Sequence, residues 1–121
     1  MLIQVTCPDG GPRYVNPALI QQVFVWGGQT RVWFGGDDQA TVAESPEEIA
    51  ALVEDAQPGG IRMLEWTCEG VLHMVAPAYV IGIRQTNGHT YIDTERRAFI
   101  ADQRPEELIG QWRRITGRNP A

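Results

Sequence analysis

Four side chains in this sequence have the chemistry to hold a zinc ion: Cys7, Cys68, His73 and His89. A closed site is normally announced by closely spaced ligand pairs, and here there is no C-x-x-C and no H-x-x-x-H. The expectation is therefore no metal and no cofactor, with the two cysteines acting as small hydrophobes. Paired carboxylates occur at Asp37-Asp38 and at Asp93 with Glu95. Their neighbourhoods are turn-like, and such carboxylates bond to nearby backbone. Glu47-Glu48 and Glu106-Glu107 precede apolar periodic runs, where a helix N-terminus already favours anions. Ser45 is the only serine, and neither cysteine has a histidine close by in sequence to activate it. Gly27-Gly28 and Gly35-Gly36 lack the strand-to-helix setting and the lysine of a phosphate loop. No catalytic residue and no small-molecule substrate can be identified, so an enzyme is not expected.

The elements that would position these residues are written twice. Val15-Asn16-Pro17-Ala18-Leu19-Ile20 aligns with Val75-Ala76-Pro77-Ala78-Tyr79-Val80 at an offset of 60. Gly28-Gln29-Thr30 aligns with Gly88-His89-Thr90 at the same offset. Ser45-Pro46-Glu47-Glu48-Ile49 matches Arg104-Pro105-Glu106-Glu107-Leu108 at 59, and Thr6-Cys7 matches Thr67-Cys68 at 61. Four blocks in one order, drifting by single residues, read as a tandem duplication with small loop indels.

Within each copy the pattern predicts five short strands and one helix. In the first copy the strands are Leu2 to Thr6, Arg13 to Asn16, Ile20 to Trp26, Thr30 to Phe34 and Ala40 to Ala43. Asp9-Gly10-Gly11-Pro12 and Gly27-Gly28-Gln29 supply turns, and Pro17 stops a strand because it has no N–H for the ladder. Ser45, Pro46 and Glu48 make a capping box with proline at the first helical position. Ile49, Leu52, Val53 and Ala56 then fall on one helix face. The second helix repeats this with Leu108, Trp112 and Ile115, under a poorer cap at Arg104. The fold class is thus α+β and mainly β: two tandem βββββα units of short antiparallel strands with pseudo-two-fold internal symmetry. The units span 1–56 and 61–121, with 57–60 as linker.

Composition narrows the partners. The net charge of −5 is uneven: residues 1–60 hold two arginines against eight acids, and residues 61–121 eight arginines against seven. Nucleic-acid binding depends on neutralising phosphates, so nucleic acid is disfavoured as a partner. The exception is a local basic end at Arg113, Arg114 and Arg118. Lysine is absent, as a GC-rich genome would give. No apolar run spans a bilayer and the N-terminus has no leader pattern, so a bacterial cytoplasmic protein, away from membranes, is expected.

The run Tyr14-Val15-Asn16-Pro17-Ala18-Leu19-Ile20, a hairpin carrying a threonine, and Val42-Ala43-Glu44-Ser45 before the helix together resemble the FlbD-type flagellar and swarming-motility proteins. The resemblance covers 1–56, and 61–117 more faintly; Asn16 becomes Ala76 and Ser45 becomes Arg104 in the second copy. It implies turn, cap and core roles and no catalytic residues. The short-strand layout is similar, less closely, to LytTR-type DNA-binding domains, against which the acidic charge argues.

The two copies also suggest a recognition face. Val23, Val25, Val32 and Phe34 match Ile83, Gln85, Ile92 and Thr94 as the inward set of the central hairpin. The other set, Phe24, Trp26, Arg31 and Trp33, matches Arg84, Thr86, Tyr91 and Asp93. Such a face either packs inside the chain, against the other unit or a helix, or forms an interface, since three large aromatics and an arginine are what interface centres contain. The leading expectation is a non-catalytic protein-binding module, with another protein or a second copy as partner, or equally a phage- or plasmid-borne inhibitor of a host factor. The alternative is a nucleic-acid-binding regulator using Arg113, Arg114 and Arg118.

Overall fold

The computed structural model describes residues 1–35, 38–57, 62–95 and 97–117. The chain divides into two compact units, Met1–Ile61 and Arg62–Ala121. The first contains β1 (Ile3–Thr6), β2 (Pro12–Val15), β3 (Gln22–Trp26), β4 (Gln29–Gly35), β5 (Asp38–Val42) and helix α1 (Pro46–Ala56). The second contains β6 (Leu64–Cys68), β7 (Val71–Val75), β8 (Val80–Thr86), β9 (His89–Thr94), β10 (Ala98–Ala101) and helix α2 (Pro105–Thr116). The fold is α+β and mainly β, with the order βββββα in each unit. Of the expected linker 57–60, only Gln57 lies within the described residues.

Within the first unit β1 pairs antiparallel with β2, and β4 pairs antiparallel with both β3 and β5. Within the second, β6 pairs with β7 and β9 with both β8 and β10, all antiparallel. Three of the hairpins close through two residues of positive φ: Gly27-Gly28, Asn87-Gly88 and Glu69-Gly70. That geometry matches the right-handed twist of the flanking strands. Pro12 opens β2 opposite Thr6, a strand start where a proline is tolerated. Pro17 does more than stop a strand. It begins a single 3-10 turn, Pro17–Leu19, whose free N–H at Ala18 is taken by Asn16 Oδ1 at 3.0 Å. Pro77–Tyr79 makes the same turn without a side-chain cap, since Ala76 replaces the asparagine.

The core of the second unit is Leu64, Trp66, Val75, Ile92, Ala101 and Leu108, with Trp112 and Ile115 of α2 packed against it. In the first unit Ile3, Val5, Val15, Val23, Val32, Val42 and Ile49 are buried. Helix α1 has the expected capping box: the Glu48 N–H donates to Ser45 Oγ at 3.1 Å, and the Ser45 N–H to Glu48 Oε1 at 3.2 Å. Arg104 caps α2 with no side-chain bond. Ser45→Ala should therefore cost about 1 kcal/mol. Urea melts should show a lower midpoint with unchanged slope, and an unchanged midpoint would mean that the hydroxyl contributes nothing.

The Thr-Cys block of each copy has a structural role. In the first unit the Thr6 N–H and hydroxyl both donate to the Glu44 carboxylate at 2.8 Å, and the Ala43 N–H donates to the Thr6 carbonyl at 2.8 Å. This clamps the end of β1 to the residue preceding the capped helix. The second unit builds the same clamp with different side chains. The Thr67 N–H donates to Gln103 Oε1 at 3.0 Å, and its hydroxyl donates to Asp102 Oδ2 at 2.8 Å. Asp102 also accepts the backbone N–H groups of Glu69 and Gly70, at 2.9 and 3.0 Å. Those bonds fasten the β6–β7 turn, where Glu69 sits at φ 52°, a conformation a residue with a Cβ seldom adopts.

Candidate functional site

Two groups of side chains were candidates for a recognition site, and the β8–β9 face is the solvated counterpart of the first. The first is the β3–β4 hairpin. Phe24 is 2% exposed and Trp33 7%, with ring centroids 4.4 Å apart. The Trp33 indole N–H donates to Gln39 Oε1 at 3.0 Å. Gln22, opposite Trp33 in the ladder, is buried as well. Val23 and Val32 on the other face are equally buried, so this hairpin is covered on both sides along most of its length. Arg31 is half-buried, and its Nε is buried without a hydrogen-bond partner. Trp26, at the hairpin end, is 55% exposed. Alternation along a strand says which residues share a face, and it does not say that one face must be wet. Of the four residues read as either packed inside the chain or forming an interface, Phe24 and Trp33 are buried, Arg31 is half-buried and Trp26 is exposed.

The counterpart is the equivalent face of the β8–β9 hairpin. Arg84 lies over the Tyr91 ring, with Cζ 4.4 Å from its centroid. Its Nε donates to Asp93 Oδ2 at 2.8 Å and its Nη1 to Thr86 Oγ1 at 3.1 Å. These are polar ladder contacts on an exposed surface, individually worth little.

The second group is the end of α2. Arg113 and Arg114 occupy its last turn and are exposed, which suits the negative end of the helix dipole. The helix stops at Gly117 in a left-handed conformation, with its N–H donating to the Arg113 carbonyl at 2.8 Å. Arg118 lies outside the described residues. Arg84, Arg97 and Arg104 are exposed in the same unit. Arg104 pairs with Glu107 at 3.4 Å, and Arg97 stands 5.7 Å from the Phe99 ring centroid.

The residues considered for metal or acid–base chemistry are dispersed. No group of three or more His, Cys, Asp or Glu among the described residues could hold a metal ion. His73 is buried in β7, stacked on Trp66 at 5.8 Å and tilted against Phe99 at 5.9 Å. Its Nδ1 has no hydrogen-bond partner, and burial holds its pKa below the ordinary value. His89 is exposed at the start of β9. Burial, then the charges of Asp102 and Glu69, push the Cys68 thiol up, away from a reactive thiolate. Asp38 is exposed and pairs with Arg13 at 3.8 Å, while Asp37 lies outside the described residues. Asp93 pairs with Arg84 rather than acting with Glu95. Sequence reasoning missed the roles of Glu44, Asp102 and Gln103; Glu44 stood in the Val42-Ala43-Glu44-Ser45 run with no partner assigned, and Asp102 and Gln103 had no signal beyond the repeated Thr-Cys block they anchor. No helix among the described residues is long and apolar enough to cross a membrane.

No family model and no curated protein matches this chain. Among solved structures it is similar to a LytTr DNA-binding domain of a putative methyl-accepting/DNA response regulator from Bacillus cereus. The TM-score is 0.55 at 13% identity, and the match covers 97% of this chain and 97% of that one. The likeness is one of fold and runs through both units. It corrects two expectations: the protein-binding module as the leading reading, and nucleic acid as a disfavoured partner. The exclusion of nucleic acid rested on net charge, which averages over two units of opposite sign.

Proposed function

We propose that the chain is a non-catalytic, nucleic-acid-binding regulator that engages a duplex through the arginine-rich end of its second unit. The reading is carried by one observation, the end-to-end fold likeness to a domain described as DNA-binding. It is supported by the exposed Arg113 and Arg114 at the C-terminal turn of α2, where the helix end itself offers the phosphates nothing and the cations must come from side chains. We take the two units, with their shared order of elements and repeated threonine clamps, as descendants of one duplicated unit.

The test is binding of the full chain to a pool of random-sequence duplex DNA across a salt series. Saturable binding is expected, weakening with a slope of about −0.9 per phosphate neutralised, so about −3 for three arginines. Arg113→Gln with Arg114→Gln should lower the affinity at least tenfold at low salt, with the melting curve showing that the chain still folds. No binding at the lowest salt would refute the reading.

A further inference from the structure

The proposed function rests on the second unit, and the paired units allow the same positions to be compared in the first. Helices α1 and α2 begin on equivalent prolines, Pro46 and Pro105. At the same offset of 59, Glu54 is equivalent to Arg113 and Asp55 to Arg114. All four residues are exposed. Equivalent helix ends therefore carry opposite charge: two carboxylates on one, two guanidinium groups on the other.

The helix itself does not account for the carboxylates. A C-terminal turn carries the negative end of the macrodipole, so anions there are destabilising and cations stabilising. Helix α1 has no basic residue in its last turn, and Glu47 and Glu48 are acidic at its other end. The two arginines of the first unit stand on strands, Arg13 on β2 and Arg31 on β4. Arg13 faces Asp38 at 3.8 Å and lies 5.3 Å from the Phe34 ring centroid, and Arg31 is half-buried. The second unit instead exposes Arg62, Arg84, Arg97, Arg104, Arg113 and Arg114.

Building on the nucleic-acid reading, we propose that binding is one-sided. The duplex is held by the second unit from the end of α2, and the end of α1 repels phosphate, so that one chain takes one duplex in a single orientation. Two equivalent helix ends of like charge would offer two sites of similar affinity. Reversing the charge at one of them leaves one site and fixes the polarity of the complex.

The experiment uses the isotopically labelled full chain titrated with random-sequence duplex DNA. Amide shifts should move at Arg113–Gly117 and stay still at Glu54–Ala56. The variant Glu54→Arg with Asp55→Arg puts cations at a helix end whose dipole favours them, and its melting curve checks that it folds. It should bind at least tenfold more tightly at low salt, steepen the salt slope by about two, and show new shifts at its altered turn. Movement of the α1 turn in the parent chain would overturn one-sidedness, as would a reversed variant that binds no differently. Absence of any binding by the parent would refute the nucleic-acid reading itself, a result distinct from binding that maps to the wrong helix end.

Discussion

Trp33→Ala should cost about 3–5 kcal/mol, the usual range for removing a buried large aromatic. Trp26→Ala, in the same hairpin and the same residue type, should cost about 0.5 kcal/mol. The contrast follows from burial: Trp33 is 7% exposed and packed on Phe24, while Trp26 is 55% exposed. Truncating Trp33 also leaves Gln39 Oε1 without the indole N–H it accepts at 3.0 Å. A domain of this size has a total stability of about 5–15 kcal/mol, so the Trp33 variant should be partly unfolded at physiological temperature. Chemical denaturation of the two single variants measures both values. Equal costs would mean that the two indoles share one environment, contrary to the packing described.

Acidification should lower the stability of the chain over two separate pH ranges. The first belongs to His73. Its folded pKa lies below the ordinary 6.5 because burial disfavours the charged form. Its contribution to stability is therefore complete above pH 6.5 and is lost as pH falls through the lower folded value. A single proton contributes at most about 1.4 kcal/mol per pH unit. The second range belongs to the threonine clamps. For Glu44, burial alone would raise the pKa, but the bonds from the Thr6 N–H and hydroxyl outweigh it and the net lies below 4.5. For Asp102 the Gly70 N–H, the Glu69 N–H and the Thr67 hydroxyl hold the carboxyl below 3.8. Both contributions are complete above those values and disappear as pH falls through the lower folded ones. Urea midpoints against pH should show both limbs, and His73→Phe should remove the first alone. A variant retaining the loss of stability just below pH 6.5 would assign that limb to another group.

Much of the fold was legible because its signals are local. Gly27-Gly28 and Asn87-Gly88 specify their turns within two residues, and Ser45-Pro46-x-Glu48 specifies a helix start within four. The clamps were not legible. Thr6 and Glu44 stand 38 residues apart, Thr67 and Asp102 35, and the second clamp uses an aspartate and a glutamine where the first uses one glutamate. The Glu69-Gly70 turn was hidden for the same reason, since its conformation is secured by distant Asp102. The candidate site was read least well. The aromatics of the β3–β4 hairpin share a face as the alternation required, but sequence period cannot say which faces of a sheet are covered. The total charge of −5 also conceals one helix end bearing two acids and an equivalent one bearing two arginines.

The threonine clamps also determine what hydrogen exchange would report. The amides of Thr6 and Thr67 donate to side chains from the far end of their own units, at Glu44 and Gln103. Fraying of a neighbouring hairpin does not free them; separation of the first strand from the segment leading into the helix does. Their exchange rates, read residue by residue in the native state, would time that separation in each unit.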